Sequence, residues 1–410
     1  MVSLNSPDWL TSPSTRRVMQ ALDGARPGGA RFVGGCVRNS LLGQAVSDID
    51  IATQLLPEEA GAAAEAAGCA VHPTGVAHGT ITVVADGHPF EVTTLRRDVE
   101  TDGRRAVVAF TEDWAEDAQR RDFRMNALYA SCEGEVFDPT GGGLDDIAAR
   151  RIVFVGDAET RIREDYLRIL RFFRFYAWYG AGAPDADGLA ACARLRSGLA
   201  GISAERIWAE TKKLLKASDP RASLLSMRES GVLHQLYTET ARLDDALAMI
   251  AADLEDGRDP DALLRFAALL RADPESARKV LSGMKPSNAE RARIRTALGL
   301  LDLDADVAPH ELRRTLYRHG FRAVADHVLL ARAQDGAHAD RWLKLLAAAE
   351  AWTQPTFPVT GDDALKCGLK SGPAIGAALS AVEAAWIDSD FMLERPELLA
   401  RLQEIAAAGE

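Results

Sequence analysis

Cysteine is scarce in this chain, and lysine is absent from its first 180 residues. The five cysteines (Cys36, Cys69, Cys132, Cys192 and Cys367) lie far apart, with no CxxC and no zinc spacing. They read as small buried hydrophobes. The eight histidines form no HExxH and no His-Asp doublet, which argues against a histidine-based metallohydrolase. No apolar run approaches the roughly 20 residues that span a bilayer. The opening stretch MVSLNSPDWLTSPSTRRVMQ lacks the charged and apolar regions of a signal peptide. A cytoplasmic location is therefore the default, with no membrane partner. The missing lysine fits a composition that favours Ala and Arg.

What is present suits a soluble globular protein. The 410 residues are 47% apolar and 26% charged, enough for several domains. A net charge of −12 speaks against a nucleic-acid binder, but the charge is uneven. Residues 1–180 hold 19 Arg and 26 acids, a net of −7, whereas residues 150–216 hold 13 Arg or Lys against 8 acids, a net of +5. A local basic stripe can meet a phosphate backbone while the rest stays acidic.

Residues 31–53, RFVGGCVRNSLLGQAVSDIDIAT, carry the most information. An apolar run leads into Gly34-Gly35, a short helical segment carries Arg38, and Asp48-Ile49-Asp50 sits in a second apolar run. Alternate strand residues share a face, so Asp48 and Asp50 would point the same way, about 7 Å apart. Such a pair can hold divalent metal, and the glycine turn lets backbone N–H groups approach a phosphate. Together they suggest nucleotidyl or phosphoryl transfer. Asp-x-Asp and Gly-Gly are each common by chance; their ordered combination is not.

The stretch Gly34-Gly35-Cys36-Val37-Arg38-Asn39-Ser40-Leu41-Leu42-Gly43 followed by Asp48-Ile49-Asp50-Ile51-Ala52-Thr53 resembles the class II tRNA nucleotidyltransferases and bacterial poly(A) polymerases, whose pattern is GGxVRDxLLG then DxDxAT. Asn39 departs from the family's Asp, outside the metal pair. The resemblance implies that Asp48 and Asp50 are catalytic and hold Mg²⁺, with Gly35 and Arg38 cradling a triphosphate. Residues 120–128 resemble the family's RRDFTxNAL, with Arg124 in place of Thr. Arg121 there is expected to contact the nucleotide, a role suited to the donor fork of guanidinium. A solvated basic turn is the bland alternative.

Residues 163–175, REDYLRILRFFRF, read as one helix in which Asp165, Arg168, Arg171 and Arg174 form a charged ridge. Leu167, Ile169, Leu170, Phe172, Phe173 and Phe175 cover the other faces, so the helix should be substantially buried. On pattern alone an internal salt-bridge ladder fits equally well. The segment resembles the family's EDxLRxLRxxRF, which implies that Asp165 and Arg168 select the incoming base. Cytosine and adenine each offer an amino donor beside a ring-nitrogen acceptor. A carboxylate and a guanidinium match that edge, and guanine and uracil reverse it. Arg171 and Arg174 would add donors to the nucleotide or support Asp165.

Residues 79–97 suggest two strands joined at Asp86-Gly87. Glu91 is a candidate third carboxylate and equally a surface glutamate. In relatives the region corresponding to 98–112 is a mobile loop; an ordinary hairpin loop is the alternative. Candidate strands are 31–34, 48–53, 80–85, 89–95, 107–110 and 127–130. Candidate helices are 12–23, 37–43, 57–67 and 113–119. After about residue 158, helix-period patterns dominate. Residues 358–373 resemble the family's tail motif, whereas 230–350 match no nameable motif.

The expected fold class is α+β, with a nucleotidyltransferase head of mixed sheet and flanking helices followed by all-α neck, body and tail. The boundaries are 1–147, 148–230, 231–350 and 351–410. The expected activity is template-independent CCA addition to tRNA 3′ ends from CTP and ATP with Mg²⁺. Alternatives are a poly(A) polymerase or a CC-only or A-only enzyme on the same scaffold, and a catalytically dead RNA-binding protein. A phosphohydrolase is weakened by the missing His-Asp doublet.

Overall fold

The Asp86-Gly87 turn, with φ of 51° and 79°, folds Thr80–Ala85 back on His88–Thr94, as the alternation of apolar and polar residues predicts. The computed structural model describes residues 2–102, 105–237, 242–271, 274–299 and 301–408. They fall into two units, Met1–Ala241 with Val280–Pro286, and Arg242–Lys279 with Ser287–Glu410.

The strands lie in the first unit: β1 (Ala30–Val33), β2 (Asp50–Thr53), β3 (Ala70–Gly75), β4 (Thr80–Ala85), β5 (His88–Thr94), β6 (Arg96–Asp102), β7 (Arg105–Phe110), β8 (Tyr129–Ala130) and β9 (Val136–Phe137). Seven form one mixed sheet in the order β3-β4-β5-β2-β1-β8-β9, and β6-β7 is a separate hairpin. Among the described strands only β2–β5 is parallel, with Asp50 opposite Glu91. One face packs on the helices Pro13–Ala25 and Pro57–Ala66, which bury Val18, Met19, Leu22, Ala60 and Ala64. The other carries a core of Val33, Ala52, Leu95, Ala118, Ala127, Tyr129 and Val155.

Several expectations shift here. Asp48 lies before β2, because the strand begins only at Asp50. Strands β3, β6 and β9 were not expected. The 98–112 loop is largely the hairpin β6–β7; its turn at 103–104 lies outside the described residues. Cys36, Cys69 and Cys192 are buried as expected, but Cys132 and Cys367 are half-buried, and all five are free.

The 163–175 segment is not one helix. Ala158–Glu164 ends at Asp165, whose backbone is extended (φ −154°, ψ 104°), and a second helix runs Leu167–Tyr179. The Asp165 carboxylate stabilises the break: Oδ1 accepts the N–H of Leu167, the first residue of the second helix, at 3.1 Å. The apolar set is buried as expected, with Phe172 stacked on Phe154 and Phe175 packed against Phe123.

The described part of the second unit is helical throughout. One core gathers Leu312, Leu316, Val324, Val328, Trp342 and Leu345, and another gathers Val359, Val382, Trp386, Leu398 and Leu402. In the 358–373 segment, Thr360 and Asp363 form a capping box on the helix Gly361–Lys366. Among the described residues, no helix is long and apolar enough to cross a membrane.

Candidate active site

A cleft of about 420 Å³ opens in the first unit. Its lining includes Gly34, Gly35, Arg38, Asp50, Arg121, Asp165, Arg168 and Arg171. The structure therefore brings together most residues singled out from sequence. Asp48 and Arg174 are not part of that lining. Arg174 Nε donates to Glu210 at 2.5 Å, on the helix Ala204–Leu215.

Gly34 links β1 to the helix Gly35–Leu41 with φ 72°, a conformation that favours glycine. A Cβ there would lie 3.9 Å from both Arg121 Nη1 and Asp50 Oδ2. The absence of a side chain thus leaves the acidic and basic walls facing one another.

Burial, together with Glu91 and then Asp48, pushes the Asp50 carboxyl up to about 6, against the pull of Arg121 and Arg38. Converging carboxylates of this kind gain from a bound cation. Among the described residues no three His, Cys, Asp or Glu side chains form a metal cage by themselves. Mg²⁺-type sites commonly use one or two carboxylates completed by water and substrate phosphate. Asp48 and Asp50 fit such a site, and Glu91 is the adjacent third acid.

Arg38 is buried, yet its direct partners are all neutral. Nη1 donates to Asn126 Oδ1 at 2.6 Å, Nη2 to Asn39 Oδ1 and Tyr179 Oη at 2.8 Å each, and Nε to Asn39 Oδ1 at 3.1 Å. The guanidinium also stacks 4.1 Å from the centre of the Tyr179 ring. Burial lowers its pKa, partly opposed by Tyr179 and Asp122. A desolvated cation with no carboxylate bonded to it favours an incoming anion. Asn39 also donates to Ala45 O at 2.9 Å, pinning the loop that precedes Asp48.

Asp165 and Arg168, also in the cleft lining, do not pair with each other, so the Asp165–Arg168 rung of the alternative salt-bridge ladder does not form. Asp165 Oδ2 accepts from Arg206 Nη2 at 2.6 Å. Arg168 is held by Glu164, by Arg161 O at 2.8 Å and by Arg120 O at 3.2 Å. The helix break aims the two side chains separately, each with its own support. Arg171 pairs with Asp122, and its link to Asp165 is through charge alone. The basic excess of 150–216 is likewise largely paired internally: Arg163 and Arg194 both meet Glu159.

Arg206 and Asp117 were not foreseen as site residues. Arg206 lies 41 residues beyond Asp165, with no spacing signal to connect them. Asp117 precedes Arg121 by four positions, across the end of the helix Trp114–Gln119, a spacing that can be read from sequence.

An acidic strand end facing an arginine-lined cleft on a mixed sheet is the layout of a nucleotidyl-transferring head. The model of the Poly A polymerase head domain matches residues 30–153. That described as a probable RNA- and SrmB-binding site of polymerase A matches 184–243. The mitochondrial CCA tRNA nucleotidyltransferase 1 of Mus musculus is 35% identical over 91% of this chain and 86% of its own length. A CCA-adding enzyme of Geobacillus kaustophilus is 31% identical over 92% and 93%. The crystal structure of the Bacillus stearothermophilus CCA-adding enzyme in complex with CTP superposes with a TM-score of 0.76, at 27% identity over 97% of this chain and 99% of that one. The chain belongs to the tRNA nucleotidyltransferase and poly(A) polymerase family, and it is a nucleotidyltransferase. Enzymes of this family use a divalent metal.

Proposed function

We propose that this protein adds C, C and A to the 3′ end of tRNA, taking CTP and ATP and releasing pyrophosphate. The carrying observation is the cleft itself, whose lining joins Asp50 to Asp165 and Arg168, with the buried Arg38 held by neutral partners. Its likeness along nearly the whole length of named CCA-adding enzymes supports the same reading.

The terminal 3′-hydroxyl attacks the α-phosphorus; a new P–O bond forms as the α–β bridging bond breaks. Asp48 and Asp50 would hold Mg²⁺, whose contribution when bound is to acidify the hydroxyl and offset developing charge. Gly35 presents backbone close to the triphosphate, and Arg38 supplies the buried positive charge. Arg121 contacts ribose or phosphate through the Nη1 left beside Gly34. Asp165 accepts from the exocyclic amine of cytosine or adenine. Arg168 donates to the neighbouring ring nitrogen. Both are immobilised before the nucleotide arrives, so little ordering remains at binding. Arg171 contributes a donor at the cleft wall; Arg174 supports that wall through Glu210.

On this reading residues 1–147 form the head, 148–230 the neck, 231–350 the body and 351–410 the tail, and the helical regions bind tRNA by shape and phosphate contacts. A cytoplasmic location belongs to the same proposal, although the name of the mouse relative places that protein in the mitochondrion. Product sequencing tests the activity. With Mg²⁺ and tRNA lacking CCA, CTP alone should give CC, and CTP plus ATP should stop at CCA. A long A tail from ATP alone would instead establish a poly(A) polymerase.

A further inference from the structure

We infer that Asp117 is a positioning residue for the nucleotide, a single carboxylate that sets both Arg120 and Arg121 along the cleft; this rests on the reading of the cleft as the nucleotide site. Asp117 lies on the helix Trp114–Gln119 and is 1% exposed. Oδ2 accepts from Arg121 Nη2 at 2.8 Å, from Arg121 Nε at 3.3 Å and from Tyr129 Oη at 2.7 Å. Oδ1 accepts from Arg120 Nε at 2.8 Å and from the Arg96 N–H at 3.3 Å, where β6 begins. Arg120 and Arg121 line the cleft, and Asp117 does not.

An ionised carboxyl offers about four lone-pair sites, and here they are filled from within the protein. Asp117 therefore has no capacity left for metal or nucleotide and acts through the arginines. The charges also matter. Two guanidiniums against one carboxylate leave one net positive charge, since burial keeps the Tyr129 phenol protonated. That surplus faces the cleft beside Asp50, where Arg121 Nη1 borders Gly34. The same carboxylate ties the root of the β6–β7 hairpin to these arginines.

A structural ion pair and a positioning residue differ in what a charge-removing variant does. Asp117→Asn preserves shape but frees both arginines, so orientation is lost while positive charge rises. Expected for CTP and ATP is a fall in kcat/KM of about tenfold or more, the scale of a small misplacement at a reacting centre. Inhibition by tripolyphosphate, which needs charge but little orientation, should hold or tighten. Tyr129→Phe keeps every charge and removes one orienting hydroxyl, so a smaller loss of kcat/KM with unchanged tripolyphosphate inhibition is expected. It covers the case in which Asp117→Asn does not fold. Both are measured below the melting transition on the full chain, with Mg²⁺ and tRNA lacking CCA. Wild-type constants in the folded variants, with only the melting midpoint moved, would overturn the proposal. So would parallel loss of tripolyphosphate and nucleotide binding. A wild-type chain that incorporates neither C nor A would instead overturn the reading of the cleft, and this proposal with it.

Discussion

Asp50 and Glu91 are register partners on the parallel strands β2 and β5, and Glu91 is the strongest charge acting on the Asp50 carboxyl. The consequence is a group of acids whose mutual repulsion a divalent cation relieves. Glu91→Gln should therefore weaken the metal site without emptying it. We expect the Mg²⁺ concentration for half-maximal transfer to rise about three- to tenfold, with much of the rate recovered at saturating Mg²⁺. A metal titration of the rate measures this. An unchanged titration curve would return Glu91 to the role of a surface glutamate.

Asp48→Ala and Asp50→Ala should each reduce transfer by about 10³-fold or more. Neither should lower the melting temperature, because each removes a repulsive charge rather than a packing contact. Thermal melts run beside the transfer assay separate the two effects. Full activity in either variant would refute the metal assignment.

On the proposed reading, Asp165 and Arg168 select the base as separately supported groups. Asp165→Asn replaces half of its acceptors by donors, and we expect discrimination against GTP and UTP to drop by about 10- to 100-fold. Arg206→Ala should produce the same pattern more weakly, since it releases Asp165 without altering it. Competition assays with mixed nucleotides read the ratio directly. Selectivity untouched by Asp165→Asn would show that another group reads the base.

How much of this was legible in the sequence depends on where the deciding contacts lie. Strands β4 and β5 were readable because their alternation and the Asp86-Gly87 turn are local. Strand β3 was not, because an exposed edge containing His72, Pro73 and Thr74 carries little apolar signal. The Gly34–Asp50 motif was readable as an ordered string of residue types. The break at Asp165 was hidden, since the apolar period runs through it and an Asp that takes the N–H two residues on looks the same in sequence as one that continues the helix. Arg174 was misplaced because its partner Glu210 lies 36 residues away.

A pH dependence of stability follows from Asp122. Burial alone would raise its carboxyl, but Arg171, Asn126 and the Phe123 N–H overrule burial and hold it at about 2. Against about 3.9 in an unfolded chain, the folded value is depressed. The contribution is thus complete above pH 4 or so and is lost as the pH falls towards 2. Its size is on the order of 2 kcal/mol. Asp122→Asn should melt lower than wild type at pH 7, with the gap closing at pH 2–3. A gap that persists at low pH would assign the loss to packing instead.

Arg38, a buried cation bonded among the described residues only to neutral groups, bears on the end of the proposed catalytic cycle. The charge that favours an arriving triphosphate also favours departing pyrophosphate, since both are polyanions. On the proposed role of Arg38, one group would govern both substrate capture and product release, and added pyrophosphate should strip the terminal nucleotide from finished tRNA. Pyrophosphate should also compete with CTP and ATP in inhibition kinetics. In a cell the direction of tRNA maturation would then be set by whatever consumes pyrophosphate, since the enzyme speeds both directions alike.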